Sequence, residues 1–126
     1  MAYHLVNWFE IPALDIERAK KFYTGIFSCG DFTDMQMGTH KMAIFPMPED
    51  TENSGVTGAI IQGDEYQPNE NGTTVYFGVD DCSEELSKVE DNGGKIVHEK
   101  KAIGEHGFVA HFIDTEGNRI ALHSRK

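Results

Sequence analysis

Cysteine is scarce in this 126-residue chain: Cys29 and Cys82 are the only two, with no metal-binding spacing between them. Too few for a disulfide framework, they read as free thiols. No apolar run approaches the roughly 20 residues of a membrane span, and the N-terminus lacks a signal-peptide pattern. A soluble cytoplasmic protein is the expectation. Basic residues are in the minority, 11 against 21 acidic, and the formal charge of −10 disfavours nucleic acid and anionic membrane as partners. The length suits one domain or two small fused halves, with roughly two-thirds of the unfolded surface buried.

What the chain does have is centred on residues 8–23, WFEIPALDIERAKKFY. Pro12 cannot donate to a strand ladder and belongs at a strand end. Asp15 is a good helix N-cap, because its carboxylate can accept from free N–H groups of the first turn. Beyond it Ile16, Ala19, Phe22, Tyr23, Ile26 and Phe27 share one helical face, and Cys29-Gly30 marks the stop. Before it, Tyr3 to Ile11 alternates: Leu5, Phe9 and Ile11 turn to the helix, while Trp8 and Glu10 turn away.

Strands are expected at Asp31 to Met37, Lys41 to Met47 and Gly55 to Gln62, with an acidic loop from Glu49 to Ser54 that lacks the ligand spacing of a calcium loop. Gly63 to Gly72 reads as a connection. The pattern then returns: a strand over Thr73 to Val79, a capping box at Asp81 to Glu84, a helix burying Leu86 and Val89, and a stop at Asn92-Gly93-Gly94. Strands at Lys95 to Val97, Gly107 to Asp114 and Arg119 to Ser124 follow, the last two joined by a turn at Thr115 to Asn118. Strand, helix and three strands, twice, is an internal repeat. The fold class is α+β: two βαβββ modules, about 1–63 and 72–126 of a single domain, forming one curved, mostly antiparallel sheet with a cleft on its concave face.

Two stretches, DIERAKKFY with Ile26-Phe27 and FIDTEGNRI at residues 112–120, resemble the vicinal oxygen chelate superfamily of glyoxalase I, bleomycin-resistance proteins, extradiol dioxygenases and fosfomycin-resistance transferases. Thr115 stands where that family usually has proline. The resemblance implies the glyoxalase/bleomycin-resistance fold, a homodimer, and a divalent metal held by residues of the first strand of each module and a glutamate of the last strand. Those positions fall on Trp8, Thr74 and Ala121. Indole and alanine cannot bind a metal and a lone threonine is a poor ligand, so neither metal nor cofactor is expected.

Alternation places Trp8, Glu10, Thr74, Tyr76, His111, Arg119 and His123 on the cleft face. Glu10, His111 and His123 are the candidate catalytic groups; Trp8, Thr74, Tyr76 and Arg119 are the candidate ligand-binding ones. A plain structural role competes with each, and an ion pair of Glu10 with Arg119 or His123 is the simplest. His4, His40, His98 and His106 fall on expected loops and strand ends and carry no role, and Cys82 reads as structural. Three functions follow: a metal-free protein binding a small organic molecule, a glyoxalase-like lyase or isomerase using Glu10 with His111 or His123, and a metalloenzyme with a relocated Glu10, His111 and His123 site. Phe45, Met35 and Met37 are the apolar residues available to a dimer contact.

Overall fold

The computed structural model describes residues 5–47 and 56–126. The acidic stretch Glu49 to Ser54, residues 1–4 and the start expected for the fourth strand at Gly55 lie outside them. Helix α1 (Ile16–Phe27) begins where expected: Asp15 is extended, and its carboxylate accepts from the backbone N–H of Arg18 at 3.1 Å. Its apolar face, Ile16, Ala19, Phe22, Tyr23 and Ile26, is buried throughout. It stops before the expected Cys29-Gly30, at Ser28, whose left-handed conformation (φ 50°) turns its N–H back onto Thr24 O. A capping hydrogen bond outweighs the modest cost of that conformation in a residue with a side chain.

Strand β1 (Trp8–Pro12) leads into α1, and β2 (Thr33–Met37), β3 (His40–Ile44) and β4 (Thr57–Gln62) follow it. The second module repeats this with β5 (Val75–Gly78), α2 (Cys82–Leu86), β6 (Lys95–Ala102), β7 (Phe108–Ile113) and β8 (Arg119–Ser124). The α+β class and the repeated order hold. The single curved sheet is corrected: the strands form two four-stranded sheets, ordered β1-β4-β3-β2 and β5-β8-β7-β6, each with one parallel pair. β1 and β5 are therefore edge strands that meet through side chains, Phe9 edge-on to Phe77 at 5.8 Å, rather than through a ladder.

Smaller departures have local causes. β1 starts at Trp8, and Leu5, expected to face the helix, is 88 % exposed. β6 runs five residues past Val97, because shifts in its pairing with β7 at His98 and Lys101 let a polar segment continue as an edge strand. Phe45, offered as a surface contact, is 8 % exposed and packs among Phe9, Tyr23, Phe32 and Phe77. Met35 and Met37 are exposed as expected.

The β7–β8 turn reaches across to the other module. Gly117 adopts φ 102°, which glycine takes at little cost, and the flanking side chains then point at α1. Glu116 Oε1 accepts from the N–H groups of Leu14 and Asp15, both at 2.8 Å, while Arg18 Nε donates to Oε2 at 2.7 Å. Tyr23 O–H donates to Asp114 Oδ2 at 2.6 Å, and Asn118 Nδ2 donates to Pro12 O at 2.7 Å. Burial pushes the Glu116 carboxyl up, but the hydrogen bonds from Arg18 and Asp15 N–H outweigh it and hold the group below its ordinary value. Burial and the adjacent Asp114 raise the Tyr23 phenol well above its ordinary value.

A lowered carboxyl pKa contributes stability that is complete above the ordinary value, about 4.3, and is lost as pH falls through the native one. Glu116→Gln is expected to cost about 2–3 kcal/mol in urea unfolding at pH 7, since it leaves the turn poorly matched to Arg18 and two backbone donors. The difference from wild type should shrink as pH falls below about 4. Arg18→Ala should cost about 1 kcal/mol or less, because its side chain is 49 % exposed and water replaces the pair. Equal losses for the two variants would contradict the buried-carboxylate account.

Candidate functional site

Both helices pack on the same side of their sheets as Phe9, Ile60, Phe112 and Ile120, so the opposite faces carry the alternate residues. The two opposite faces differ. On the first sheet, Met42, Ala59 and Ile61 are buried beneath Tyr66 of the connection between modules. His40 stands edge-on to Tyr66 at 5.0 Å, with its Nε2 3.3 Å from Glu65. The middle of that face is covered while Trp8, Glu10, Met35 and Met37 at its edges stay exposed, so the accessible polar chemistry lies along the β1–β5 seam and on the second sheet.

On the second sheet Tyr76, Ala121 and His111 sit side by side on β5, β8 and β7, with Arg119 two residues before Ala121 on the same face. Arg119 Nε donates to His111 Nδ1 at 3.2 Å. A ring nitrogen that accepts carries no proton, so the neutral imidazole holds its proton on Nε2, which is 3.4 Å from the Tyr76 oxygen. Nε2–H then donates to that oxygen and the Tyr76 O–H proton is left to donate outward. His98 stands edge-on to His111 at 5.6 Å. Burial first, then the charges of Arg119 and His98, lower the His111 pKa. The terminal guanidinium nitrogens of Arg119 bond to no described residue, and no carboxylate among the described residues pairs with it.

Across the seam Trp8 Nε1 donates to Glu10 Oε2 at 3.3 Å, with the indole 39 % exposed. Glu10 and Arg119 line one recess of about 200 Å³ together with Gln67, Asn69 and Asn118, without pairing. Beside it, sharing Thr73 and Val75, lies a chamber of about 830 Å³ walled by Phe9, Phe27, Phe45, Phe77, Thr74 and Tyr76. Aromatic walls beside a few polar groups are what a small organic ligand requires.

Of the residues expected in the cleft, Trp8 and Glu10 come together, as do Tyr76, His111 and Arg119, and Thr74 joins the chamber wall. The expected ion pair of Glu10 with Arg119 or His123 does not form. His123 Nε2 donates instead to His106 O at 2.7 Å, tying down the loop before β7. Glu10, His111 and His123 therefore do not converge, and no trio of His, Cys, Asp or Glu among the described residues is placed to hold a metal. Ala121, at the position of the last-strand metal ligand, is a buried methyl between Tyr76 and His111. This donor set does not fit the metal that the fold implies. Sequence reasoning missed His98, because β6 outruns its apolar pattern, and missed Gln67 and Asn69, because the connection shows no periodicity. It also missed the phenylalanine chamber, which assembles only from distant elements.

Residues 5–122 match the profile of the Glyoxalase/Bleomycin resistance protein/Dioxygenase superfamily. A glyoxylase-like domain-containing protein from Didymella fabae is 35 % identical over 125 residues, 95 % of this chain and 93 % of that protein. Among solved structures, the E144Q mutant of glyoxalase I from Zea mays superposes with a TM-score of 0.72 at 18 % identity, over 94 % of this chain and 46 % of that one. This chain thus spans about half of the maize enzyme. The fosfomycin resistance protein FosX from Listeria monocytogenes superposes with a TM-score of 0.71 at 17 % identity, over 98 % of this chain and 94 % of that one. At such identities the structures speak for the fold, and the profile and the fungal relative speak for the family. The chain belongs to the Glyoxalase/Bleomycin resistance protein/Dioxygenase superfamily.

Proposed function

We propose that the protein binds a small organic molecule along the β1–β5 seam without the aid of a metal. The observation that carries this reading is the apolar chamber opening beside an outward-directed Tyr76 hydroxyl, whose oxygen is already occupied by His111 Nε2–H. An apolar body is accommodated by the phenylalanine walls, and an oxygen acceptor on it meets the hydroxyl. Free thiols at Cys29 and Cys82 suit a reducing compartment such as the cytoplasm.

A second reading is a proton-transfer lyase or isomerase. It is favoured by Glu10, which among the described residues bonds only to Trp8 and so keeps an oxygen to take a proton from a ligand in the recess. His111, as an Nε2–H donor through Tyr76, would support negative charge developing on the ligand's oxygen. His123 has no part in it, being tied to the His106 carbonyl.

We also infer a homodimer. With β1 and β5 turned to each other, β2 and β6 are the outer edges; β6 carries Lys95, Lys100 and Lys101, whereas β2 is exposed throughout and presents Met35 and Met37. An unguarded edge of this kind is usually covered. Sedimentation at tens of micromolar should give twice the 14.1 kDa chain mass, and a monomer at that concentration would refute the dimer.

Aromatic carbonyl compounds screened against the protein should change the fluorescence of Trp8, and Tyr76→Phe should weaken the binding of any hit about tenfold. Turnover that disappears in Glu10→Gln selects the second reading; binding without turnover selects the first. An indole unmoved by every compound and freely quenched by iodide would reject the seam as the site. In a separate titration followed by NMR, the His111 ring should take up its proton below about pH 6.5, and Arg119→Gln should raise the midpoint. Because the native state resists this protonation, stability should fall as pH drops below about 6.5 toward that midpoint. A wild-type midpoint at or above 6.5 would contradict the Arg119-to-Nδ1 geometry.

A further inference from the structure

Resting on the small-molecule reading, we infer that the seam selects a monocarboxylate with an apolar body, its carboxylate held by Arg119 in the recess and its body in the adjoining phenylalanine chamber. A guanidinium carries its charge at every accessible pH, and a half-buried one is normally neutralised by a carboxylate. This chain has 21 acidic residues, yet none among the described residues pairs with Arg119. Its one hydrogen bond among the described residues, through Nε, goes to a neutral imidazole, which fixes its orientation without cancelling its charge.

That bond leaves the terminal nitrogens of Arg119 unspent. Their planar fork matches the two oxygens of a carboxylate. His111 is a positioning residue here: its Nδ1 accepts from Nε and so orients the guanidinium, while its Nε2, on the other side of the ring, meets Tyr76 on the chamber wall.

Two features narrow the class. Glu10 lines the same recess as Arg119, so a dianionic head would meet a carboxylate at short range. The net charge of −10 adds to that repulsion. A single negative charge can be satisfied by Arg119 while lying clear of Glu10. The recess is small, about 200 Å³, against about 830 Å³ for the adjoining apolar chamber, so the charged head is the minor part of the ligand.

The test uses three probes of common shape: 3-phenylpropanoate, its amide and 2-phenylethyl phosphate, titrated at pH 7.5 and followed by Trp8 fluorescence and calorimetry. The carboxylate should bind about tenfold or more tighter than the amide, the amount by which a charge-assisted hydrogen-bonded pair exceeds a neutral one. The phosphate, mostly dianionic at this pH, should bind no better than the amide. Arg119→Gln should bring the carboxylate down to the level of the amide, and Arg119→Lys should recover part of the difference. Glu10→Gln should strengthen phosphate binding. Far-ultraviolet circular dichroism checks that each variant is folded. Equal wild-type affinities for carboxylate and amide would overturn the monocarboxylate assignment and leave the seam standing as a ligand site. Tighter binding of the phosphate would overturn the selectivity assigned to Glu10. Failure of all three probes to bind or to shift the NMR signals of Tyr76 and His111 would overturn both the assignment and the site.

Discussion

The carboxylate of Glu116 is the point on which this architecture turns. It lies on a turn of the second module, yet its hydrogen bonds go to the start of the first module's helix, at Leu14, Asp15 and Arg18. A helix N-terminus leaves backbone N–H groups without partners and carries partial positive charge, so a buried carboxylate there is satisfied by geometry as well as by Arg18. Asp15 caps the first turn from within its own chain segment, and Glu116 completes the capping from the other half. Asp114 and Asn118 extend the clasp to Tyr23 and Pro12, so both ends of the β1–α1 connection are pinned by one five-residue turn.

The unjoined sheets become intelligible once that clasp is in place. The modules are held by the turn and by aromatic contacts such as Phe9–Phe77 and Phe45–Phe77, and no ladder has to run between β1 and β5. The two edges are free to stand apart. Their separation creates the recess and the chamber, which residues of β1, β5 and β8 and of the connection between the modules line. The polar clasp supplies cohesion where an apolar seam or a continuous sheet would have closed the space.

The fold was legible because its signals are local. The Asp15 cap, the helical stripe through Tyr23 and Ile26, and the glycine-bearing turn at Gly117 each depend on neighbours in the chain, and each stands where the pattern put it. The membership of the cleft face was legible for the same reason, since alternation along short strands fixes which side chains share a side. What could not be read were the partners. Glu10 and Arg119 have complementary charges, but only the seam geometry shows that Glu10 turns to Trp8 and Arg119 to His111. His123 sits on the right face by alternation and still spends its Nε2 proton on a loop carbonyl. His98 was hidden by a strand that continues through charged residues, and Phe45 was assigned to the surface although distant aromatics enclose it.

The cover that Tyr66 places over Met42 and Ile61 makes the two repeats unequal. By symmetry alone a duplicated module offers two equivalent faces, one per repeat. Here the connecting segment, which belongs to neither repeat, lays Tyr66 over the first sheet and only borders the second, lining the recess at Arg119 with Gln67 and Asn69. The internal twofold relationship survives in strand order and is cancelled in chemistry. The two halves of one chain accordingly share a strand order and differ in what they expose, an asymmetry set by where the connection runs.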